Sequence, residues 1–407
     1  MKGYKHIVLL LSLAIYAWFI GCYVFVLLGL SVIVMMTYRL PQNMNILIPA
    51  CFLVLGFVLM KYAFPQSNVS LPIGYSVFSF SCISFLVDYK KSKHKCRVKG
   101  VDLLCYLFFF PKMLCGPLVK FAPFQKQIES PAFPDKIATY QIFKILVFAS
   151  FCKFCIADSI SWIVSADNLG VNAWIASVIF AIQLYFDFYA YSLFAIGFAS
   201  LLGIQLPYSF KSPYRADSLK DFWHRWNITV SAWLKEYIYI PLGGNRHRNS
   251  YRKSFNVITT FFVSGIWHGA SLPFILWGIL HGILYNMERI INNVIRNRIS
   301  KLLYRFLILV AIMLLWQFFR LNTSQELVTF FSSLLHYAPM DVTILLYMIV
   351  SSCVLLLIDS KQVKSLIFST TSDRIFIYKE VALLSGLLFI TILFHSNSQI
   401  NFFYFKF

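Results

Sequence analysis

The chain has 407 residues, of which 59% are hydrophobic and 13% are charged. Soluble domains carry about 45–50% apolar and about 25% charged residues, so this composition excludes an ordinary soluble domain and indicates a polytopic membrane protein. The formal net charge of +20 raises the alternative of a nucleic-acid-binding protein. The basic residues, however, gather in short loops between apolar segments, which is typical of cytoplasmic loops under the positive-inside rule. A nucleic-acid partner is therefore not expected.

Apolar segments recur along the whole chain and predict an all-α membrane protein. A helix needs about 20 apolar residues to cross the hydrocarbon core. The first few residues of the chain look like a signal peptide, but the apolar stretch continues to about Met36 and no small-residue cleavage site follows a short apolar region, so we expect a retained segment or a pair of short ones. The candidate spans, in chain order, are 7–36, 46–64, 71–88, 141–165, 173–203, 255–272, 273–287, 302–320, 343–358 and 380–395.

The apolar segment 103–123 is interrupted by Pro111, Gly116, Pro117 and Pro123. Helix breakers this frequent predict a re-entrant or interfacial element that does not cross the membrane. The basic loops then all fall on the cytoplasmic side; they are 90–99, 211–253 and 289–305. Since no long polar linker or repeat is visible, we predict a single membrane domain over residues 1–407, with its core motif region at 183–287.

The polar stretch 207–254 is too charged to span a membrane and too aromatic for a free loop. At 100° per residue its aromatic and aliphatic residues share one sector, which predicts an amphipathic helix on or under the membrane domain, ended by Gly243 and Gly244. The sector consists of Trp223, Trp226, Val230, Trp233, Leu234 and Tyr237. Asn227 lies at its edge. Because a buried amide needs partners, Asn227 is expected to make a structural hydrogen bond or to bind a ligand.

Two histidines, His268 and His281, lie in the apolar run 263–282. One straight helix would hold their rings about 20 Å apart on different faces. Gly269 and Pro273 predict a break, which does not by itself bring the rings together. With no Cys, Asp or Glu nearby to complete a zinc shell, no metal site is expected.

His268 lies about 20 Å into its predicted span, near the bilayer midplane. Burial favours the neutral imidazole, so His268 is either a general base for a hydroxyl or a core histidine that donates to a carbonyl. For His281 we favour a structural or secondary role over lining the same cavity. Nearby glycines permit close backbone approach, either between helices or to a ligand; they are Gly265, Gly269, Gly278 and Gly282.

Several stretches together resemble the membrane-bound O-acyltransferases, in particular the bacterial branch typified by alginate O-acetyltransferase. They occur in that family's order and cover more than a third of the chain. They are LPIGYSVFSFSCISFLVDYKK (71–91), FFFPKMLCGPLVKFAPFQKQI (108–128), the segment 183–246 from QLYFDFY to IPLGGNR, SGIWHGASLPFILWGILHG (264–282) and the terminal NFFYFKF (401–407).

The resemblance implies about 10–11 transmembrane or re-entrant helices around a central tunnel. It makes His268, the histidine of the W-H-G motif, the catalytic residue, and it places Asn227 at the second functional position. The alginate branch commonly has histidine there, so a two-histidine mechanism is not expected. The chain also departs from the family at Leu193, in YSLFAIG, where the family often has Asp. Residues expected to line the tunnel or support the site are His281, Trp267, Asp187, Trp226 and Arg225; for Asp187, pairing between helices through Tyr or Arg is at least as strong an expectation as chemistry.

The resemblance further implies a multi-pass protein of the bacterial inner (cytoplasmic) membrane, embedded in lipid, with no tightly bound cofactor. Acetyl-CoA is the expected acyl thioester donor, and a polysaccharide hydroxyl is the expected acceptor. A separate extracytoplasmic partner resembling SGNH hydrolases is expected to complete the transfer. Arg246, Arg248 and Lys253 are candidates for the coenzyme A phosphates, or they simply enforce topology.

Two alternatives stay open. D-alanyl transfer from a carrier protein to teichoic acid keeps the fold and changes the donor. A transporter or flippase predicts inverted repeats and several intramembrane carboxylates, and neither pattern is visible in the sequence.

Overall fold

The computed structural model describes most of the chain, and its regular elements are all helical. No strand occurs within the described residues, which confirms the all-α prediction. The predicted span 46–64, Arg248 and the terminal segment 401–407 lie outside them. The described residues are 3–39, 74–92, 98–113, 116–164, 171–246, 249–269, 271–291, 300–321, 323–336, 341–368 and 374–393.

The contacts within the chain group into two compact units. The first comprises Met1–Thr139 and Phe194–Pro207, and the second comprises Tyr140–Leu193 and Tyr208–Phe407. The single domain expected for residues 1–407 and the central tunnel stay predictions.

The first unit is made of short helices. The predicted span 7–36 forms two of them, separated at Gly21, whose φ of 56° favours glycine. The segment 103–123 likewise forms a helix, a short 3₁₀ turn at Phe110–Lys112 and a second helix, in agreement with its predicted breaks. The helices are α1 (Tyr4–Ile20), α2 (Tyr23–Thr37), α3 (Tyr75–Lys91), α4 (Gly100–Phe108) and α5 (Phe121–Glu129).

The remaining helices begin at residue 136 or later. α6 continues as a π-helix over Phe151–Ala157, and α9 as a π-helix over Lys235–Tyr239. They are α6 (Lys136–Ser150), α7 (Ala173–Leu201), α8 (Leu219–Trp223), α9 (Ile228–Leu234), α10 (Ser250–His268), α11 (Leu272–Ile291), α12 (Lys301–Arg320), α13 (Ser324–Ser333), α14 (Val342–Ile358), α15 (Lys361–Phe368) and α16 (Arg374–Leu393).

Within the described residues, three helices are both long enough and apolar enough to cross a membrane. They are Lys136–Ala157, Ala173–Leu201 and Lys301–Arg320. Shorter apolar helices occur at α1, α2 and α14. These positions agree with the predicted spans 141–165, 173–203, 302–320 and 343–358.

Glycines allow α10 and α11 to pack backbone against backbone. A Cβ atom at Gly265 would lie 2.4 Å from the carbonyl oxygen of Phe274, and one at Gly278 would lie 2.4 Å from that of Phe261. Gly282 meets Ile258 in the same way, at 2.8 Å from its Cα. The predicted close approach is thus confirmed, and at these positions it is an approach between helices.

The segment 207–254 is predicted to contain one amphipathic helix, and the structure differs from this prediction. It forms two short helices, α8 and α9, which are separated at Asn227. Asn227 has φ 40° and ψ 56°, a left-handed conformation that asparagine tolerates better than most residues. The break is held by two backbone hydrogen bonds, from Lys211 N–H to the Arg225 carbonyl (3.0 Å) and from Ile228 N–H to the Ser209 carbonyl (2.8 Å). These contacts with residues distant in sequence outweigh the helical periodicity.

Candidate active site

His268 is the last residue of α10. Gly269 follows it in an extended conformation, with φ −165° and ψ 157°, so the chain leaves the helix directly after the imidazole. The His268 ring centre lies 5.2 Å from that of Trp277 and 4.8 Å from that of Phe319. The residue is half-buried. The W-H-G histidine therefore lies at a helix end against aromatic rings, rather than in a sealed aliphatic core.

His281 and His268 both pack against the indole of Trp277. The His281 ring centre lies 4.6 Å from that of Trp277, and His281 itself is completely buried. The predicted break is confirmed, since α10 ends at His268 and α11 begins at Leu272. The packing of these two helices against each other, which the break does not by itself specify, places both imidazoles against one indole.

An aromatic cluster surrounds the two histidines, and part of it comes from α12, which the sequence predicts as a span but does not connect with the site. Trp316 and Phe319 of α12 lie 5.4 Å apart between ring centres. Trp316 also packs on Trp226 at 4.7 Å. A useful signal was present in the segment WQFFR, where three aromatic residues precede Arg320 at the end of an apolar span. Ionisable residues in such places are usually functional or paired.

Asn227 lies next to the same aromatic cluster, because the preceding residue, Trp226, is part of it. Trp226 is 3% exposed and contacts Trp316, which in turn contacts Phe319 beside His268. Asn227 occupies the N-cap position of α9, yet its side chain makes no capping hydrogen bond there. An N-cap asparagine ordinarily accepts from the first helical N–H groups. The Asn227 amide is thus not used by its own helix.

Arg225 is held by a neighbouring carboxylate. Its Nε donates to Asp221 Oδ1 at 2.9 Å. Partial burial raises the pKa of Asp221, but the hydrogen bond from Arg225 and the one from the Asp217 backbone N–H outweigh it, so the pKa of Asp221 lies below its usual value. The Arg225–Asp221 pair therefore stabilises the turn that precedes Asn227.

Glu288 fixes the start of the segment that carries Trp223 and Asn227. Its carboxylate accepts from the backbone N–H groups of Leu219 (2.7 Å) and Lys220 (3.0 Å). The Tyr304 hydroxyl donates to the same carboxylate at 2.6 Å. An acidic side chain of α11 thus satisfies the first N–H groups of α8, where negative charge is favourable.

Asp187 forms a buried ion pair. Its Oδ1 lies 2.7 Å from Lys153 Nζ, and Lys153 lies at the same distance from Asp158 Oδ1. The structure therefore places Asp187 in a contact between α7 and the π-helix that continues α6. The partner is a lysine rather than the expected Tyr or Arg.

The other predicted residues lie at different places. Trp267 precedes His268, with their ring centres 4.3 Å apart. Arg246 is exposed and follows the turn at Gly243 and Gly244, and Lys253 is half-buried in the first turn of α10.

The sequence profile of MBOAT, the membrane-bound O-acyltransferase family, matches residues 76–324. The chain belongs to this family. The match contains both His268 and Asn227, and it reaches the cluster residues Trp316 and Phe319 of α12.

The names of this chain's curated relatives refer to different polymers. The peptidoglycan O-acetyltransferase of Helicobacter pylori is 34% identical over 305 residues, which are 65% of this chain and 56% of that protein. The probable alginate O-acetylase AlgI of Pseudomonas aeruginosa is 30% identical over 268 residues (64% and 51%). The teichoic acid D-alanyltransferase of Bacillus subtilis is 25% identical over 236 residues (54% and 59%). The chain spans about half the length of the curated relatives it matches.

Proposed function

We propose that this protein is an O-acyltransferase of the bacterial inner membrane. It moves an acetyl group from cytoplasmic acetyl-CoA to hydroxyl groups of an extracytoplasmic polysaccharide, together with a separate partner that resembles SGNH hydrolases. Family membership and the names of the relatives support this proposal. The observation that carries it is the position of His268, a half-buried imidazole at the end of α10 beside Trp277 and Phe319.

In the proposed reaction His268 acts as the general base. Its neutral imidazole takes the proton of the acceptor hydroxyl while that oxygen bonds to the thioester carbonyl carbon. The carbon–sulfur bond then breaks, and the coenzyme A thiolate leaves with the proton returned by the imidazolium. The Asn227 amide is proposed to donate to the developing oxyanion, a contribution that is effective when the donor is held in place beforehand. The left-handed turn fixes its backbone for that purpose.

Acetyl is preferred over D-alanyl as the transferred group. The relatives named as acetyltransferases or acetylases are 30% and 34% identical, whereas the D-alanyltransferase is 25% identical. Arg246 and Lys253, on either side of the start of α10, are proposed to contact the coenzyme A phosphates, and the same role is proposed for Arg248.

The decisive test compares His268→Ala with the control His336→Ala. His336 is an exposed histidine whose Nδ1 contacts the Ser332 carbonyl at 2.9 Å. Membranes that contain each variant at equal level receive acetyl-CoA labelled in the acetyl group, and the surface glycan of the same cells is analysed for O-acetyl groups by mass spectrometry.

We expect His268→Ala to lower transfer about 10²–10⁴-fold, as loss of a general base does, while His336→Ala matches wild type. Equal O-acetyl content in the His268→Ala strain rejects the catalytic assignment. Incorporation of D-alanine in place of acetyl rejects the donor assignment and leaves the role of His268 intact.

A further inference from the structure

His281 contains a buried hydrogen-bond acceptor that the proposed reaction does not use. Its Nδ1 lies 3.0 Å from the carbonyl oxygen of Trp277. A carbonyl oxygen only accepts, so Nδ1 carries the proton and Nε2 of the neutral ring presents a lone pair. Nε2 is buried and has no hydrogen-bond partner among the residues that the structure describes. Such an atom is costly unless something donates to it.

Two unpaired donors belong to side chains in contact with this imidazole. The ring centre of Trp223 lies 5.3 Å from that of His281, and that of Trp277 lies 4.6 Å from it. The indole nitrogens of both tryptophans are buried and, within the described part of the chain, have no acceptor. One acceptor and two donors are thus unsatisfied in a single group of touching rings, although buried polar atoms are nearly always paired.

The surroundings of this group are aromatic. Phe261 stacks near the His281 ring at 6.0 Å, and Trp316 lies 6.1 Å from it. Charged ligands are disfavoured in such an apolar setting. A hydroxyl group matches it, because it donates one hydrogen bond and accepts two. The Trp277 indole is also the surface against which His268 packs, at 5.2 Å between ring centres.

We propose that His281, Trp223 and Trp277 form a subsite that binds a non-reacting hydroxyl of a polyhydroxy acceptor, next to the hydroxyl that reacts at His268. The non-reacting hydroxyl donates to His281 Nε2 and accepts from the indole N–H groups, while the neighbouring hydroxyl of the same acceptor keeps its own O–H and lone pairs for the reaction at His268. This inference rests on the proposed acyl transfer and adds to it the residues that distinguish an alcohol from water. His281 is a positioning residue here, since the proton is taken by His268.

The test measures how the protein partitions acetyl groups between an alcohol and water. Purified full-length protein in detergent receives acetyl-CoA and glycerol, and both glyceryl acetate and free acetate are quantified. The variants are His281→Phe and Trp223→Phe, which keep an aromatic ring and remove the two imidazole nitrogens and the one indole nitrogen, respectively. Tyr285→Phe is the matched control, since it removes a hydroxyl one turn further along α11.

We expect the ratio of glyceryl acetate to acetate to fall about tenfold in His281→Phe and in Trp223→Phe, which corresponds to one lost hydrogen bond. Tyr285→Phe should keep the wild-type ratio. A ratio does not depend on the amount of folded protein, so poor yield of a variant does not mimic this result. Ratios within twofold of wild type in both variants overturn the subsite alone. Absence of acetyl-CoA turnover by the wild-type protein overturns the proposed function as well.

Discussion

Lys153 Nζ lies 2.7 Å from Asp187 Oδ1, and both side chains are almost completely buried. The lysine belongs to the π-helix that continues α6, and the aspartate lies in the middle of α7. A buried charge is costly without a partner of opposite sign. The pair therefore fixes how these two long apolar helices align, which is a structural role for the acid in YFDFY.

Removal of Lys153 should destabilise the protein strongly, because Asp187 then stays buried without its cation. We expect Lys153→Met to lower the free energy of unfolding by about 3–5 kcal/mol, and the double variant Lys153→Met with Asp187→Leu to recover most of the loss. The measurement is thermal unfolding of purified protein in detergent. Asp158→Asn serves as the control, since it leaves the Lys153–Asp187 pair in place. A double variant no more stable than Lys153→Met contradicts the pairing role.

The close packing of α10 and α11 at their glycines leads to a second prediction. An alanine at Gly278 would place its Cβ 2.4 Å from the Phe261 carbonyl oxygen, so the helices must separate and the site that they carry must shift. We expect Gly278→Ala to lower both the melting temperature and acyl transfer. At Gly29, inside α2, a Cβ meets nothing within 4 Å. Gly29→Ala should therefore be neutral or stabilise by about 0.5–1 kcal/mol through helix propensity. Equal effects of the two substitutions argue against the packing role.

Much of the fold follows from local sequence patterns. Apolar length located the helices around 141–165, 173–203 and 302–320, and the glycines indicated a close backbone approach, which the structure shows to be one between helices. These features depend on neighbours along the chain. The shared contact of His268 and His281 with Trp277 does not depend on such neighbours, because it arises from the packing of two helices against each other. The contributions of Trp316 and Phe319 arise from a third helix, whose contacts no local periodicity encodes.

The break at Asn227 likewise depends on contacts that local sequence patterns do not encode. The 100° periodicity of Trp223, Trp226 and Val230 is present in the sequence, yet the chain forms two helices. Asparagine permits a left-handed conformation but does not require one. The backbone bonds from residues 209–211 decide the outcome. Sequence reasoning thus identified the residue and missed its conformation.

The Glu288 carboxylate should control the order of the segment that carries Trp223 and Asn227. Glu288→Ala removes the acceptor of two backbone N–H groups at the start of α8, and hydrogen bonds to a charged group are worth about 1.5–3 kcal/mol each. We expect faster tryptic cleavage after Lys220 and lower acyl transfer. Tyr304→Phe removes the hydroxyl bond to the same carboxylate and leaves its two bonds from backbone N–H groups, so it should have the smaller effect on both measurements. Cleavage at the wild-type rate in Glu288→Ala shows that other contacts hold α8.

Substitutions at Asn227 separate its amide from its backbone. Glycine adopts φ 40° and ψ 56° without strain, so Asn227→Gly keeps the turn and removes only the amide. We expect its melting temperature to stay close to wild type while acyl transfer falls about 10²–10³-fold, as for loss of one oxyanion donor. Asn227→Ala should lose the same activity and in addition about 1–2 kcal/mol of stability, because alanine is strained in the left-handed region. Acyl transfer and thermal unfolding are measured on the same preparations. Full activity in Asn227→Gly excludes a catalytic role for the amide. The role of Asn227 is then only to adopt the left-handed conformation of the turn.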